Sequence, residues 1–188
     1  MQDATLDFWF GRSDSDAYGN ARNEWFRKDS AFDAEIRTRF VAAVETALAG
    51  GFADWTAPRH VLARVLLLDQ FTRNSFRDTR RAFAGDALAL AIADGAVARR
   101  DDRALVAVER WFLYMPFEHA ESAAAQERSL ELFTRLRDET GLSAALEWAQ
   151  RHAAVIRFFG RFPHRNSILG RPSTPEELAF LAAPGSRF

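Results

Sequence analysis

A chain of 188 residues with a formal net charge of -1 carries no surplus of either sign, so neither nucleic acid nor an anionic membrane is favoured as a partner. The absence of cysteine excludes disulfides, thiolate metal sites and a cysteine nucleophile. The length favours one domain over residues 1–188, large enough to bury roughly two thirds of its unfolded surface without staples.

Of the 25 basic residues only Lys28 is lysine, and alanine is abundant, as in proteins of GC-rich bacterial genomes. An arginine is therefore informative here only where its position is unusual. Residues 1–5 hold no basic region followed by an apolar stretch, so no secretory signal is read there. The most apolar run, 61–71, is broken by Arg64 and Asp69 and falls short of the roughly 20 residues a membrane span requires. A cytoplasmic location is expected.

Helix formers dominate and strand signals are few, which predicts an all-α fold of seven or eight helices. The first, short helix carries Leu6, Phe8, Trp9 and Phe10 and stops at Gly11. A polar loop over 13–20 leads to Trp25-Phe26. Asp29 is a candidate N-cap for a helix in which Phe32, Ile36, Phe40, Val44 and Leu48 recur every four residues, up to Gly50-Gly51. Thr56 and Pro58 open a helix through about residue 71. Asp78-Thr79 caps the next, to about Arg99, and Asp101-Asp102 begins one that Pro116 is expected to break. Helices over about 121–138 and 142–159 follow. Thr174, Pro175 and Glu177 form a capping box for the last. Short connections predict antiparallel hairpins. Arg-Asn-Ser occurs at 73–75 and again at 165–167, each just after a predicted helix end, where Asn suits a left-handed turn.

At about 100° per residue, Asp69, Glu109, Gln126 and His152 fall on the apolar faces of four different helices, while Arg103, Arg110, Glu147 and Arg151 fall outside. Buried charge is costly unless paired, so the inward acids need donors, and Arg73, Arg161 and Arg165 at the loop ends are candidates. The four inward groups predict either one connected network that fixes helix register or the lining of one pocket. Two segments expected to be non-helical add to the pocket reading. Residues 115–121 set His119 between Glu118 and Glu121, and 160–166 gather Arg161, His164, Arg165 and Asn166 around Phe162 and Pro163. Glu118 and Glu121 also suit the N-terminal dipole of the following helix.

The helical metal signatures are absent and the four histidines are scattered, so no metal ligand is assigned. A site assembled from distant His119, His152, His164 and carboxylates is left open. No phosphate loop, nucleophile elbow or dinucleotide fingerprint occurs, and no cofactor is expected. Histidine beside carboxylates can perform acid–base work, although no nucleophile stands out. The Arg-bearing loop can bind a carboxylate or phosphate.

Phe8-Trp9-Phe10-Gly11, Trp25-Phe26 with Lys28-Asp29, and the stretches 67–74, 109–119 and 160–166 resemble the bacterial domain-of-unknown-function family numbered 924. The resemblance covers nearly the whole chain. Thr72 departs from it, standing where Pro is expected, and should relax the turn while keeping Arg73 and Asn74. The resemblance implies an all-helical fold of stacked antiparallel pairs similar to tetratricopeptide-repeat proteins, and it implies no activity. Binding of a peptide in a concave groove follows from fold analogy alone.

Three readings result. A binding module would hold a small anionic ligand or a peptide end in a pocket shaped by Asp69, Asn74, Glu109, Glu118, His119, Gln126, His152, His164 and Asn166, with Arg73, Arg161 and Arg165 meeting the anion. An enzyme, a hydrolase or transferase, would use His119 or His152 as base, oriented by Glu118 or Glu109, with the Arg-bearing loop stabilising negative charge. A structural or interaction protein would use the inward groups for packing only.

Overall fold

Regular apolar spacing and ordinary caps make most of the described residues helical. The computed structural model describes residues 1–16 and 18–186, and no strand occurs among the described residues. Its helices are α1 (Gln2–Phe10), α2 (Ser30–Leu48), α3 (Pro58–Leu66), α4 (Thr72–Ser75), α5 (Asp86–Ala98), α6 (Ala107–His119), α7 (Ala123–Thr140), α8 (Ser143–Phe159), α9 (Asn166–Leu169) and α10 (Pro175–Ala182). Several caps follow the sequence reading. Asp29 accepts from the amides of Ala31 and Phe32 at the head of α2, and Thr174 exchanges bonds with Glu177 at the head of α10.

The centre of the molecule is α6, whose residues from Val108 to His119 are all buried. It packs against α3, α5, α7 and α8. A helix covered on every side needs no polar stripe. On one flank an aromatic cluster seals α1 and α2 to it, with Trp25 and Phe112 ring centroids 4.7 Å apart and Phe40 and Phe71 4.9 Å apart. On the other flank, α7 and α8 follow through short turns and pack as successive antiparallel pairs. A smaller cluster of Val155, Ile156 and Phe162, with Phe159 and Phe180 beside it, holds the C-terminal end.

Four expectations need correcting. Pro116 does not break α6, which continues to His119. Burial on all sides holds the helix past the lost amide, so tertiary packing overrides the local penalty. Glu118 and His119 are thus helical residues. The helix expected to end near residue 71 instead widens into a π turn (Leu67–Phe71) and continues as α4. Arg73, Asn74 and Ser75 therefore lie within a helix, and the second copy places Asn166 at the start of α9; neither forms a left-handed turn. Asp78 is itself left-handed (φ 62°) and leads only into a 3-10 turn (Arg80–Phe83), so α5 begins later, at Asp86. Finally, Asp101-Asp102 open a separate 3-10 turn ahead of α6, and Arg110 is buried, bonded to Tyr114 and paired with Glu139.

One close approach sets the geometry of the site. A Cβ on Gly85 would stand 2.1 Å from the carbonyl oxygen of Leu68, so the head of α5 touches the π turn backbone to backbone. No helix among the described residues is long and apolar enough to cross a membrane.

Candidate functional site

The π turn positions the first site residue. Thr72 sends both its amide and its hydroxyl to the carbonyl of Leu67, the hydroxyl at 2.7 Å, which satisfies the widened turn from within. The departure at Thr72 is thus a buried double donor inside a helix, where proline could donate neither bond. Single π turns inside α-helices are frequent at functional sites.

Asp69 sits in that turn, buried, and its carboxylate is fully engaged. It accepts from His119 Nδ1 at 2.8 Å, from Arg73 Nη1 at 2.9 Å and from Gln70 Nε2 at 2.6 Å. Arg73 continues to Asp86, donating from Nη2 at 3.1 Å, and Arg165 Nη1 meets the same Asp86 oxygen at 3.1 Å. Arg165 also donates to the carbonyl of His119 at 3.0 Å, and its guanidinium lies 4.6 Å from the Phe83 ring and 4.7 Å from that of Phe162. It rivets the C-terminus of α6 to the 160–166 segment. Burial, then the neighbouring Arg73, lower Arg165 to about 10, still charged at neutral pH.

The protonation states follow from these contacts. Burial alone would raise Asp69, but Arg73, His119 and the hydrogen bonds to it hold it well below the usual carboxylate range. Burial, then Arg73, lower His119. The pair is an ionised Asp69 and a neutral His119 that carries its proton on Nδ1, because the carboxylate can only accept.

His152 lies 6.1 Å from His119, ring centre to ring centre, and is anchored in the same way. Its Nδ1 is 2.9 Å from the carbonyl of Trp148, one turn back on α8, and a carbonyl only accepts, so Nδ1 carries the proton here too. Burial is the chief cause that lowers His152 to about 3. Glu118 Oε1 is 3.1 Å from the same nitrogen. Burial, reinforced by Asp69, raises Glu118 to about 8. Its other oxygen, Oε2, is buried and has no hydrogen-bond partner among the described residues. Glu118, His119 and His152 each bring one potential ligand atom to within 4.8 Å of the others. His164 stands close by, its ring 5.6 Å from that of Phe162; burial and Arg165 lower it to about 4.

The other expected site residues lie elsewhere. Glu109 belongs to a separate network, accepting from Tyr18 at 2.7 Å and Arg59 at 3.0 Å. Gln126 caps α6, its amide donating to the carbonyls of Glu118 at 2.7 Å and Ala120 at 2.9 Å. Arg161 is paired twice with Glu177, and Asn166 donates to the same carboxylate at 3.0 Å. Asn74 donates to Asp33, which also pairs with Arg77. The four inward groups therefore do not form one set: Asp69 and His152 flank His119 without touching each other, and Glu109 and Gln126 do other work. Each of the three arginines expected to receive an anion already meets a carboxylate of this chain. Surface depressions along α7, around Leu130 and Thr134, and beside α1, around Phe8 and Arg22, contain none of these residues.

Sequence reasoning missed Asp86, which reads as an ordinary first-turn acid, and Gln70 next to Asp69. It also missed the clasp of Glu121, which accepts from the Phe162 amide at 2.7 Å and pairs with Arg171, instead of complementing a helix dipole. Asp86 and Glu121 meet Arg165 and Arg171 only through the tertiary fold.

Residues 5–185 match the model of a family described as bacterial protein of unknown function, DUF924. The chain is also similar to a solved structure from Agrobacterium tumefaciens, the protein of unknown function ATU0120, at 39% identity over 96% of each chain with a TM-score of 0.85. No protein of curated function matches it.

Proposed function

The chain belongs to the bacterial family of unknown function DUF924, and from that starting point we propose that it is a helical binding module, built from stacked pairs in the manner of tetratricopeptide repeats, with its binding centre at Asp69, Glu118, His119 and His152. The observation that carries this reading is the polarity of the centre. His119 uses its Nδ1–H to hold Asp69, which puts the lone pair of that ring on Nε2. Glu118 adds a buried oxygen without a partner.

Such a centre is rich in acceptors. It suits a small cation or proton donor, including the amine end of a peptide, better than the anion that the arginines suggest in the sequence. Arg73 and Arg165 are already neutralised by Asp69 and Asp86 and serve to fix the centre. That self-sufficient cluster is also what a purely structural network would contain, and the orphaned oxygen of Glu118 favours the binding reading over it.

A thermal-shift panel of inorganic cations, ammonium compounds and carboxylates, run on wild type and His119→Gln, tests the proposal. Stabilisation by at least one cation or amine, lost in the variant, is the expected result. A panel in which nothing stabilises wild type more than the variant would refute it.

A further inference from the structure

We infer that residues 160–182 form a lid over the binding centre, hinged at Gly160 and latched by Glu121 to Arg171, which swings open to admit a ligand. The inference rests on the binding centre proposed above and supplies its route of entry.

The need for a route follows from burial. Glu118 is 2% exposed and His119 9%, and neither of the depressions along α7 and beside α1 contains them. An amine-bearing ligand therefore reaches this centre only when its cover moves. The helices α6, α7 and α8 pack on one another and contribute to the main core, so displacing any of them opens that core. The 160–182 segment is the remaining cover. Its Phe162 ring lies 5.5 Å from that of His152, centre to centre, and its Arg165 holds the carbonyl of His119.

The segment is built to move as one body. Asn166, fully buried, donates to Ser173 and Glu177 and accepts from Arg171. Glu177 also pairs twice with Arg161, which cross-links the hinge end of the segment to α10. Both α9 and α10 pack chiefly on the 163–165 turn. The apolar support of the segment is the cluster of Phe162 with Val155 and Ile156, extended by Phe180 on Phe159, and this cluster is separate from the main core. Gly160 ends α8 in the left-handed conformation, φ 71°, where a glycine joint turns most freely. A few residues at the end of an element are the usual place for a hinge.

The latch is polar and open to water. Arg171 meets the two oxygens of Glu121 at 2.6 and 2.9 Å, and the same carboxylate accepts from the Phe162 amide at 2.7 Å. The two side chains are 24% and 23% exposed, so water and salt compete for the pair. Arg165 on Asp86 is the inner anchor. When the lid lifts, Asp86 keeps Arg73, so no acid is left uncompensated beneath it. Segments held by polar links, with little apolar burial, open locally at less free energy than global unfolding requires.

Native-state hydrogen exchange, followed by mass spectrometry on the full chain, tests the lid. The expected result is that amides of 162–182 exchange together, at denaturant concentrations that leave α2, α6 and α7 protected. Raising the ionic strength should speed this opening alone. Glu121→Gln keeps an acceptor for the Phe162 amide but removes the charge facing Arg171. It should lower protection across 162–182 by about 10-fold and leave α2 and α6 unchanged. Carbethoxylation of His119 by diethyl pyrocarbonate should accelerate by the same factor. The inference is overturned if 162–182 exchange only together with α6, if α9 and α10 open independently, or if Glu121→Gln lowers protection evenly along the chain. The wild-type exchange and salt measurements need no variant, so a misfolded substitution does not shield the idea. If the segment opens as expected while the cation and amine panel stabilises nothing, the binding centre is wrong and the moving segment stands. If a ligand stabilises wild type while the segment stays closed, the lid is wrong and the centre stands.

Discussion

Asp69 in the π turn and His119 at the last position of α6 are 50 residues apart in sequence and 2.8 Å apart in the fold. Their hydrogen bond joins the N-terminal helices to the central one and sets the tautomer of the imidazole. Replacing Asp69 by Asn keeps the volume but removes the charge opposite Arg73 and the obligate acceptor opposite His119. Breaking a buried pair in this way costs about 3–5 kcal/mol. Urea unfolding of Asp69→Asn should show a loss of that order, and a loss under about 1 kcal/mol would mean that Asp86 alone suffices for Arg73.

Thr72 supplies two donors to one carbonyl, and only the hydroxyl can be removed without touching the backbone. Thr72→Val keeps the shape and the amide bond to Leu67, so the expected loss is a single neutral hydrogen bond, about 0.5–1.5 kcal/mol. A proline there loses both and should cost about 3 kcal/mol or more. Chemical denaturation of the two variants side by side checks the order, and equal losses would remove the amide from the account.

Gly85 is required by space. Its φ of -92° suits any residue, but the added Cβ would strike the Leu68 carbonyl. Gly85→Ala must push the head of α5 away from the π turn, at about 1–3 kcal/mol or more. Because Asp86 follows immediately, the same displacement should loosen its pairing with Arg73 and Arg165. A shift of the Arg165 side-chain resonances by NMR would report this. Wild-type stability in Gly85→Ala would show that the contact relaxes freely.

Glu177 ties Arg161, Asn166 and the head of α10 together, and its hydrogen bond from Arg161 is the chief reason its pKa falls from 4.5 to about 2. A carboxylate with a depressed folded pKa stabilises the fold above its unfolded value. That stabilisation is therefore complete above about pH 4.5 and is lost as the pH falls towards about 2. Thermal midpoints measured across this window should fall more steeply for wild type than for Glu177→Gln. Parallel curves would show that the contact contributes nothing to acid stability.

Much of the fold is legible in the residues. The four-residue apolar spacing from Phe32 to Leu48, the Asp29 cap and the Thr174–Glu177 box predict α2 and α10 because these signals are local. The wheel positions of Asp69, Glu109, Gln126 and His152 predict burial correctly for the same reason. What the sequence hides is pairing. Nothing local says that Glu109 faces Tyr18 or that Arg165 meets Asp86, 79 residues away. Pro116 misleads because its penalty is local and the packing that overrides it is not. The π turn leaves no periodic trace, since one extra residue in a turn is invisible within a run of leucines.

That extra residue keeps two helical segments out of phase. An α-helix advances about 100° per residue, so deleting one residue from 67–71 would restore an even helix and swing α3 by about that angle relative to α4. The face of α3 now turned to α1 and α5 would rotate away, while Asn74 stayed on Asp33 and Arg73 on Asp86. No single substitution could undo such a rotation. The reading frame of this helix is a mechanical constant of the molecule.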